Sequence, residues 1–491
     1  LPKAAAPWDE ALGMPLHEAF RLVHTQEGFA KAFARLQREE WHVHQHLLAE
    51  KRAEAQVAAP VITPAGKTKA LLQALPWALT PAQEAAWRAI QADLQSGRRM
   101  HRLVQGDVGS GKTVVAALAC CAAVENGWQA ALMSPTEVLA RQHHAALSAW
   151  LAPLGIEVHL LVGGLRTGER KAALEALRQG RPCVVVGTHA LISDAVRFAR
   201  LGLAVVDEQH RFGVRQRWML AEKGEGVHLL SMTATPIPRS LALALYGDLD
   251  LTVMQGMPPG RKPVITRVIR NRAPLRDALR RMLDQGGRIY WIVPRVDAED
   301  EDANVSARAR QLARHFPDAG VRALHGRMRA DEKAEALSAF ADGRCRLLVS
   351  TTVVEVGVNV PEARVIVIEQ AERYGLAQLH QLRGRVGRSD AQGYCILLPS
   401  PQAGEAQLER LRLLERCHDG LALAEEDLKR RGAGDPVGLR QSGEAGFRLL
   451  DPIYDAAEIR RWSEDPPPEP PTEAMIRFWK PEADQGAKIG A

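Results

Sequence analysis

The apolar positions of this chain fall into two long stretches in which short β-rich runs alternate with helical segments. In the first stretch, residues 79–260, the runs are Arg102–Gln105, Ala130–Ser134, Pro182–Gly187, Leu203–Asp207 and His228–Met232. In the second stretch they are Ile289–Val293, Arg346–Thr351, Val365–Glu369 and Tyr394–Leu398. Continuous apolar strands separated by helices are typical of a parallel sheet covered on both faces. The pattern therefore predicts an α/β protein with two parallel-sheet lobes.

Segments of a different character flank and join the predicted lobes. Apolar residues three and four apart from Pro15 to Val57 predict a helical arm. The Pro-rich stretch Met257–Pro263 resists both helix and central strand, so we place the hinge between the lobes there. The predicted order is helical arm and linker, first lobe, second lobe, helical hairpin with a coupling segment, and Pro-rich tail, over residues 1–78, 79–260, 261–400, 401–460 and 461–491. We expect about the last twenty-five residues to be a mobile tail.

The composition places the chain among ordinary folded, soluble proteins, because 46% of its residues are hydrophobic and 25% are charged. The longest apolar run, Val114–Val124, is far short of the roughly 20 residues that a membrane-spanning helix needs, so no such helix is expected. The net charge of +6 is compatible with a polyanionic partner. It does not identify that partner, because ordinary proteins of this size reach the same charge.

Two sets of residues suggest metal or redox chemistry but favour plainer interpretations. None of the six cysteines belongs to a CxxC pair, which indicates buried free thiols in a reducing cytoplasm. His42 and His46 lie four apart on one face of the predicted arm, yet no cysteine or carboxylate completes a metal signature. We interpret this pair as part of a solvated helix face.

A phosphate-binding loop follows the first predicted strand of the first lobe and precedes the apolar helix that begins near Val114. Its glycines allow backbone N–H groups to surround phosphate oxygens, its lysine adds a charge near the outer phosphates, and its threonine offers a hydroxyl to Mg²⁺. The pattern and its strand-loop-helix context are both present, so we predict a nucleotide-binding site, although the loop alone does not identify the nucleotide. Its residues are Gly106, Asp107, Val108, Gly109, Ser110, Gly111, Lys112 and Thr113.

An acidic pair, Asp207 and Glu208, follows the apolar strand that begins at Leu203. Taken alone, such a pair is explained equally well by helix capping or by solvation at a strand end. The phosphate loop upstream favours catalysis, in which Asp207 would hold Mg²⁺ and Glu208 would activate the attacking water.

An arginine-rich segment, Gln378–Arg388, lies in the second lobe and would be costly to bury without anions to pair with. If the lobes close on each other, Arg385 and Arg388 could reach the γ-phosphate held by the first lobe. Hydrolysis would then depend on lobe closure, as a motor requires.

The order of these motifs resembles helicase superfamily two across nearly the whole chain. The resemblance implies a RecA-like fold for both lobes and a catalytic role for Gln381 in the arginine motif. It also implies that Gln83 recognises adenine, with Trp77 placed to stack on the base. The residues that it assigns to DNA contact or coupling are Thr136, Thr188, His189, His210, Thr233, Thr235, Arg327 and Thr351.

Longer strings resemble the RecG family of that superfamily. They are Asp207–Gly213, Thr233–Arg239 and Asp419–Phe447. The last is similar to a helical hairpin and loop, including Gln441, that RecG proteins share with transcription-repair coupling factors and that couples hydrolysis to movement on duplex DNA. Coupling factors usually have Asp-Glu-Glu-Gln at the second motif, so His210 favours RecG. Ala433, Asp435 and the Pro-rich tail depart from the family pattern.

The resemblance implies an ATP-dependent and Mg²⁺-dependent helicase that translocates on double-stranded DNA and acts on forks and Holliday junctions in recombination and repair. It further implies a monomer in the bacterial cytoplasm, with a single-strand-binding protein as a candidate partner. Nothing before Leu79 resembles the N-terminal wedge domain of RecG, so we expect residues 1–491 to hydrolyse ATP on duplex DNA but to remodel forks poorly. Two alternatives stay open at this point: a coupling-factor motor and a non-catalytic DNA-binding remnant.

Overall fold

The computed structural model describes residues 6–25, 28–54, 58–208, 219–235, 249–256, 262–271, 273–294, 301–351, 360–387, 391–430, 449–450, 458–459, 461–462, 465 and 469–479. These residues belong to two compact units. One comprises residues 1–57, 237–251 and 428–491, and the other comprises residues 58–236 and 252–427.

The helices of the described residues are numbered along the chain. They are α1 (Ala6–Ala11), α2 (Leu16–Thr25), α3 (Phe29–Glu54), α4 (Gly66–Ala74), α5 (Pro81–Gln95), α6 (Lys112–Glu125), α7 (Glu137–Leu151), α8 (Thr167–Arg178), α9 (Ala273–Asp284), α10 (Glu301–His315), α11 (Ala330–Asp342), α12 (Leu376–Arg383), α13 (Glu405–Arg416), α14 (Gly420–Arg430) and α15 (Glu473–Trp479). Among the helices that the structure describes, none combines the length and the apolar character that a membrane-spanning segment needs.

The first lobe is a seven-stranded sheet with the strand order β3-β4-β2-β5-β6-β1-β7, and its neighbours from β3 to β1 are parallel. Its strands are β1 (His101–Gly106), β2 (Gln129–Met133), β3 (Val158–Leu161), β4 (Val184–Gly187), β5 (Leu201–Val206), β6 (His228–Thr233) and β7 (Asp250–Met254). The five strands predicted from apolar runs are confirmed within two residues. The two that were not predicted, β3 and β7, are the edge strands.

The second lobe is a six-stranded parallel sheet with the order β10-β11-β9-β12-β13-β8. Its strands are β8 (Ile265–Val268), β9 (Arg288–Ile292), β10 (Arg322–Leu324), β11 (Leu347–Ser350), β12 (Ala363–Glu369) and β13 (Tyr394–Leu398). The four predicted strands are again confirmed, and again the two missing from the prediction, β8 and β10, are the edges. Most of the proposed hinge, residues 257–261, lies outside the described residues.

Each sheet separates two apolar layers, because alternate side chains of a strand point to opposite faces. In the first lobe, Leu132 and Val205 belong to the layer that contains α5 and α6, while Met133 and Val206 belong to the layer that contains α8. Every residue from Val114 to Val124 is buried, which explains why α6 is apolar on all sides. The predicted sheet covered on both faces is therefore confirmed, and the carboxyl ends of the strands form one edge.

The unit that contains the N-terminal arm also contains the C-terminal helix α15, so the prediction of a mobile tail is wrong for residues 469–479. Met475 and Trp479 are buried in a core with Trp8, Leu16 and Leu36. The indole N–H of Trp479 donates to Glu39 Oε1 at 2.8 Å. The sequence analysis did not predict this helix, because the helix is short, has few apolar residues and comes shortly after a run of prolines.

His42 corrects the prediction of a solvated face on the arm. Its side chain is 6% exposed, and its ring meets Trp8 edge to face with the ring centroids 6.1 Å apart. Burial, reinforced by the nearby charge of Arg38, lowers the pKa of His42 to about 4. His46 is half-buried and lies 3.3 Å from Glu50, so only this member of the pair has the expected surroundings.

The cysteines agree with the expectation from the sequence. All six are free, and all except Cys417 are buried. Burial raises the pKa of Cys120 and of Cys395 to about 12, so these thiols are protonated at neutral pH.

Candidate active site

The phosphate loop connects β1 to α6 at the carboxyl edge of the first sheet. Gly109 and Gly111 have φ angles of 84° and 85°, in the left-handed region that other residues adopt only with strain. Gly106 is required for a different reason, because a Cβ there would lie 2.7 Å from Ser110 Oγ. Lys112 Nζ donates to the carbonyl oxygens of Gly106 at 2.6 Å and Asp107 at 3.0 Å. The lysine therefore lies over the loop that it is predicted to serve.

Gln83 lies against this loop and is 2% exposed. Its Nε2 donates to the carbonyl of Ser110 at 2.9 Å, and its Oε1 accepts from the backbone N–H of Thr80 at the start of α5. A Cβ on Gly111 would collide with the Gln83 amide. Trp77 is about half exposed and packs edge to face on Trp150. These contacts link α5 to the phosphate loop, while recognition of adenine by Gln83 stays a prediction.

Asp207 is buried at the end of β5, where its Oδ2 accepts a 2.7 Å hydrogen bond from Nε2 of His143 on α7. Burial by itself would raise the pKa of Asp207. The charge and hydrogen bond of His143, together with the charge of Lys112, outweigh that effect and hold the pKa below its usual value. The carboxylate is therefore ionised, as a ligand of a divalent cation must be.

The pKa of Glu208 is shifted in the opposite direction to that of Asp207. Burial, together with the adjacent charge of Asp207, raises the pKa of Glu208 above its usual value. Its φ angle of 52° lies in the left-handed region, which is uncommon for a residue with a side chain and is typical of functional sites. Two adjacent carboxyl groups thus have pKa values shifted in opposite directions, the pattern expected when one holds a cation and the other accepts a proton.

Lys112 lies within this acidic cluster. Burial lowers the pKa of Lys112, whereas the carboxylates of Glu208, Asp207 and Asp107 act to raise it. The positive charge of Arg385, from the second lobe, acts to lower the pKa of both Lys112 and Glu208. Arg385 is itself buried, and its predicted contact with the γ-phosphate stays a prediction.

A second contact between the lobes involves Gln381 on α12, whose Nε2 donates to Thr235 Oγ1 at 2.9 Å. Thr235 follows β6, and its backbone N–H donates to Thr233 Oγ1 at 3.1 Å. Gln381 therefore contacts the segment predicted to act in coupling in the first lobe, two residues beyond the end of β6.

The remaining described residues that were predicted to contact DNA lie near strand ends in varied surroundings. Thr136 caps the N-terminus of α7 by accepting from the N–H of Leu139 at 3.4 Å. Thr188 and Thr351 are buried, whereas His189 and Arg327 are exposed. His210 and Gln441, predicted for coupling, and Arg388, predicted for catalysis, lie outside the described residues. The predicted roles of all these residues stay predictions.

The residues present suit Mg²⁺ bound together with a nucleotide. Asp207 supplies an ionised carboxylate, and Thr113 lies in the first turn of α6 directly after Lys112. Among the described residues no cluster of three or more acidic, histidine or cysteine side chains could hold a metal by itself. Mg²⁺ commonly takes one or two protein ligands and completes its octahedron with phosphate oxygens and water. The donor set therefore fits a nucleotide-bound cation better than a permanent metal centre.

Three residues that meet in this site were not singled out for their side chains from the sequence. His143 contacts Asp207. His380 donates to the Asp107 side chain at 2.7 Å. His143 and His380 were passed over because a histidine on an apolar helix face is usually a core residue. Asp107 was passed over for its side chain because residues of a phosphate loop were expected to act through their backbone N–H groups. Only the folded chain brings these side chains together.

Comparison with known proteins agrees with this geometry. The profile of the DEAD/DEAH box helicase family matches residues 80–243, and that of the helicase conserved C-terminal domain matches residues 274–390. The ATP-dependent DNA helicase RecG of Streptococcus pneumoniae is 46% identical over 82% of this chain and 62% of its own length. RecG of Escherichia coli is 42% identical over 96% of this chain and 72% of its own length.

A solved structure described as RecG bound to a three-way DNA junction matches with a TM-score of 0.73 and 40% identity. The match covers 88% of this chain and 57% of the solved chain. This chain thus spans somewhat more than half of the length of several relatives that it resembles.

Proposed function

Because this chain belongs to the RecG family of ATP-dependent DNA helicases, we propose that it hydrolyses ATP to move along double-stranded DNA, with branched DNA as its substrate. The protein solved with a three-way junction supports the choice of substrate, since it matches 88% of this chain. The proposal concerns the motor activity of residues 1–491.

Each residue of the candidate active site has a role in this proposal. Lys112 binds the outer phosphates of ATP, and Thr113 and Asp207 hold Mg²⁺. Mg²⁺ held by Thr113 and Asp207 would supply positive charge beside the outer phosphates. Glu208 accepts a proton from the attacking water, and its raised pKa brings it closer to the range in which a general base works best.

The observation that carries the proposal is the meeting of the two lobes at the ATP site. Gln381 donates to Thr235 at 2.9 Å, and the charge of Arg385 acts on both Lys112 and Glu208. An enzyme that only hydrolysed ATP would not need catalytic groups from two lobes. Division of the site between lobes makes hydrolysis depend on their closure, and repeated closure is the movement that a translocase converts into steps.

The finer parts of the proposal rest on the resemblance alone. The segment Asp419–Phe447, with Gln441, would couple lobe closure to duplex DNA. The motor would act as a monomer in the bacterial cytoplasm, where chromosomal DNA lies, with a single-strand-binding protein as a candidate partner. Neither a coupling-factor motor nor a non-catalytic remnant is favoured, since both relatives described above are RecG helicases and Lys112, Asp207 and Glu208 lie together.

The test compares ATP hydrolysis by residues 1–491 without DNA, with linear duplex and with a synthetic three-way junction. We expect both DNAs to stimulate hydrolysis, and a triplex-forming strand ahead of the motor to be displaced only when ATP is present. Absence of stimulation by any DNA would exclude the motor. Stimulation by single strands alone would exclude duplex as the track.

A further inference from the structure

A hydrogen-bond network of three side chains, Asp107, His380 and Arg383, joins the second lobe to the phosphate loop of the first. His380 Nε2 lies 2.7 Å from Asp107 Oδ1, and Arg383 Nη2 lies 2.8 Å from His380 Nδ1. Both His380 and Arg383 lie on α12, whereas Asp107 lies in the phosphate loop, 273 residues before His380. The hydrogen-bond network therefore extends from one lobe to the other at the candidate ATP site.

The donors and acceptors determine which nitrogen of His380 carries the proton. An arginine side chain only donates hydrogen bonds, so Nδ1 must accept and Nε2 must carry the proton that is donated to Asp107. Burial acts to raise the pKa of Asp107, but the hydrogen bond from His380 and the charges of Lys112 and Arg383 outweigh it and lower the pKa. Asp107 is thus an ionised acceptor, and such bonds are about twice as strong as bonds between neutral groups.

Arg383 connects this hydrogen-bond network to the segment that precedes α14. Its Nη1 donates to the carbonyls of Leu414 and Cys417, each at 2.9 Å, and its Nη2 donates to the carbonyl of His418 at 3.2 Å. Leu414 lies in the last turn of α13, where carbonyl groups have no helical partner and attract a cation. Arg383 is 4% exposed, so these contacts hold it rigidly.

Gly420, the first residue of α14, covers the Asp107–His380 contact. A Cβ at this position would lie 2.6 Å from both Asp107 Oδ1 and His380 Nε2. No side chain larger than hydrogen fits there unless the contact opens. The start of α14 is therefore held in register with the phosphate loop as well as with α12.

Asp107 also contacts the residue predicted to bind phosphate, since its carbonyl accepts from Lys112 Nζ at 3.0 Å. We propose that His380 is a positioning residue for ATP hydrolysis, which by donating to Asp107 holds α12 and the start of α14 against the phosphate loop so that Arg385 reaches the bound nucleotide. This inference rests on the proposed function. It adds an interlobe contact that positions Arg385 and does not itself touch ATP.

The experiment is a double-mutant cycle with Asp107→Ala, His380→Ala and the double variant. DNA-stimulated hydrolysis is measured at saturating duplex, with kcat and KM for ATP determined separately. We expect each single variant to lower kcat by at least about fivefold, the lower end of typical coupling between sites, with KM changed less than kcat. The double variant should lose no more than a single one, since both remove the same contact. His380→Gln should regain part of kcat, because its amide can still donate to Asp107.

A second measurement does not depend on catalysis. Hydrogen exchange of the peptide covering residues 414–423 should be faster in Asp107→Ala and in His380→Ala than in the parent chain, and unchanged in His315→Ala. His315 is an exposed histidine at the end of α10 in the same lobe, so its variant controls for loss of an imidazole.

The two measurements separate this inference from the proposed function. An inactive parent chain overturns the proposed function, and unchanged exchange in the 414–423 peptide then overturns the positioning role as well. An active parent with additive losses in the double variant, or with kcat unchanged in both single variants, overturns the positioning role alone. If Asp107→Ala does not fold, Asp107→Asn replaces it, and loss of kcat is then expected to be smaller because the amide oxygen still accepts.

Discussion

Lys112 and Glu208 have different roles in the proposed mechanism, because Lys112 acts in both ATP binding and hydrolysis whereas Glu208 acts in hydrolysis alone. We expect Lys112→Ala to abolish hydrolysis and to weaken nucleotide binding, because it removes the charge nearest the phosphates. Glu208→Gln should keep nucleotide binding but lower kcat by about 100-fold or more, the usual contribution of a general base. Steady-state hydrolysis and binding of a fluorescent nucleotide measure the two effects.

The controls for these variants lie on α8, where Lys171 and Glu169 are exposed. Lys171→Ala and Glu169→Gln should leave kcat unchanged. A Glu208→Gln variant that turns over at the rate of the parent would remove Glu208 from catalysis. Thermal unfolding of each variant verifies that the fold is intact.

His143 supports Asp207 from α7, and its removal should weaken cation binding rather than change the chemistry. The 2.7 Å hydrogen bond orients the Asp207 carboxylate. Loss of such an outer partner typically costs about 10-fold to 100-fold in metal affinity, so His143→Ala should raise the Mg²⁺ concentration for half-maximal hydrolysis by about that factor. His143→Gln keeps a hydrogen-bond donor, so it should raise this Mg²⁺ concentration less. An identical Mg²⁺ dependence in parent and His143→Ala would contradict this role, and His159→Ala, a half-buried histidine on β3, is the control.

At the scale of single elements, position in the sheet decided which strands could be predicted. All four strands missing from the prediction are edges, and their residues are only partly buried. An interior strand such as β2 or β5 is buried along its whole length and therefore shows a continuous apolar run. An edge strand has one neighbour and mixed composition, so its sequence resembles that of a loop.

The packing of α15 on the arm should be measurable as stability of α3. Trp479 fills the core of this unit and donates to Glu39, which also pairs with Arg35. We expect Trp479→Ala to lower the local unfolding free energy of α3 by about 3–5 kcal/mol, the usual cost of removing a buried tryptophan. Trp479→Phe should cost about 1–3 kcal/mol, because packing is largely kept while buried Glu39 loses a donor.

Hydrogen exchange of α3 amides in the full chain measures this free energy. The control is Arg477→Ala on the same helix, since the Arg477–Glu473 ion pair is exposed and should contribute little. Equal exchange in the parent and in Trp479→Ala would show that α15 does not stabilise the arm.

His42 should make the stability of the arm dependent on pH. The pKa of His42 falls from 6.5 to about 4 on burial, so the unfolded chain binds more protons between these values. Stability is therefore complete above pH 6.5 and is lost as pH falls toward 4, by at most about 3 kcal/mol at 1.36 kcal/mol per pKa unit. His42→Phe should remove this part of the pH dependence, whereas His17→Phe, at an exposed position on α2, should not. Parallel stability curves for parent and His42→Phe would contradict the assignment.

At the scale of the whole molecule, movement along DNA of any sequence requires contacts to phosphates rather than to base edges. Binding should then release counterions and weaken steeply with salt. For about six phosphate contacts, affinity for duplex should fall about 1,000-fold between about 50 and 200 mM salt. Fluorescence anisotropy with two duplexes of unrelated sequence measures the slope, which should be the same for both. A shallow slope, or a strong preference for one sequence, would indicate base readout instead.

The sequence alone was sufficient to predict the interior strands of both sheets and to propose the residues of the candidate active site. The phosphate loop and the Asp207–Glu208 pair are each contiguous in sequence, and each follows a strand that is wholly or largely buried, so local pattern was sufficient to predict them. Only the tertiary structure decided which distant side chains meet. Asp107 and His380 are 273 residues apart, and Glu39 and Trp479 are 440 apart. Hydrophobic periodicity reports that a residue is buried but not what it is buried against, because partners are chosen when the chain closes its loops and packs its elements.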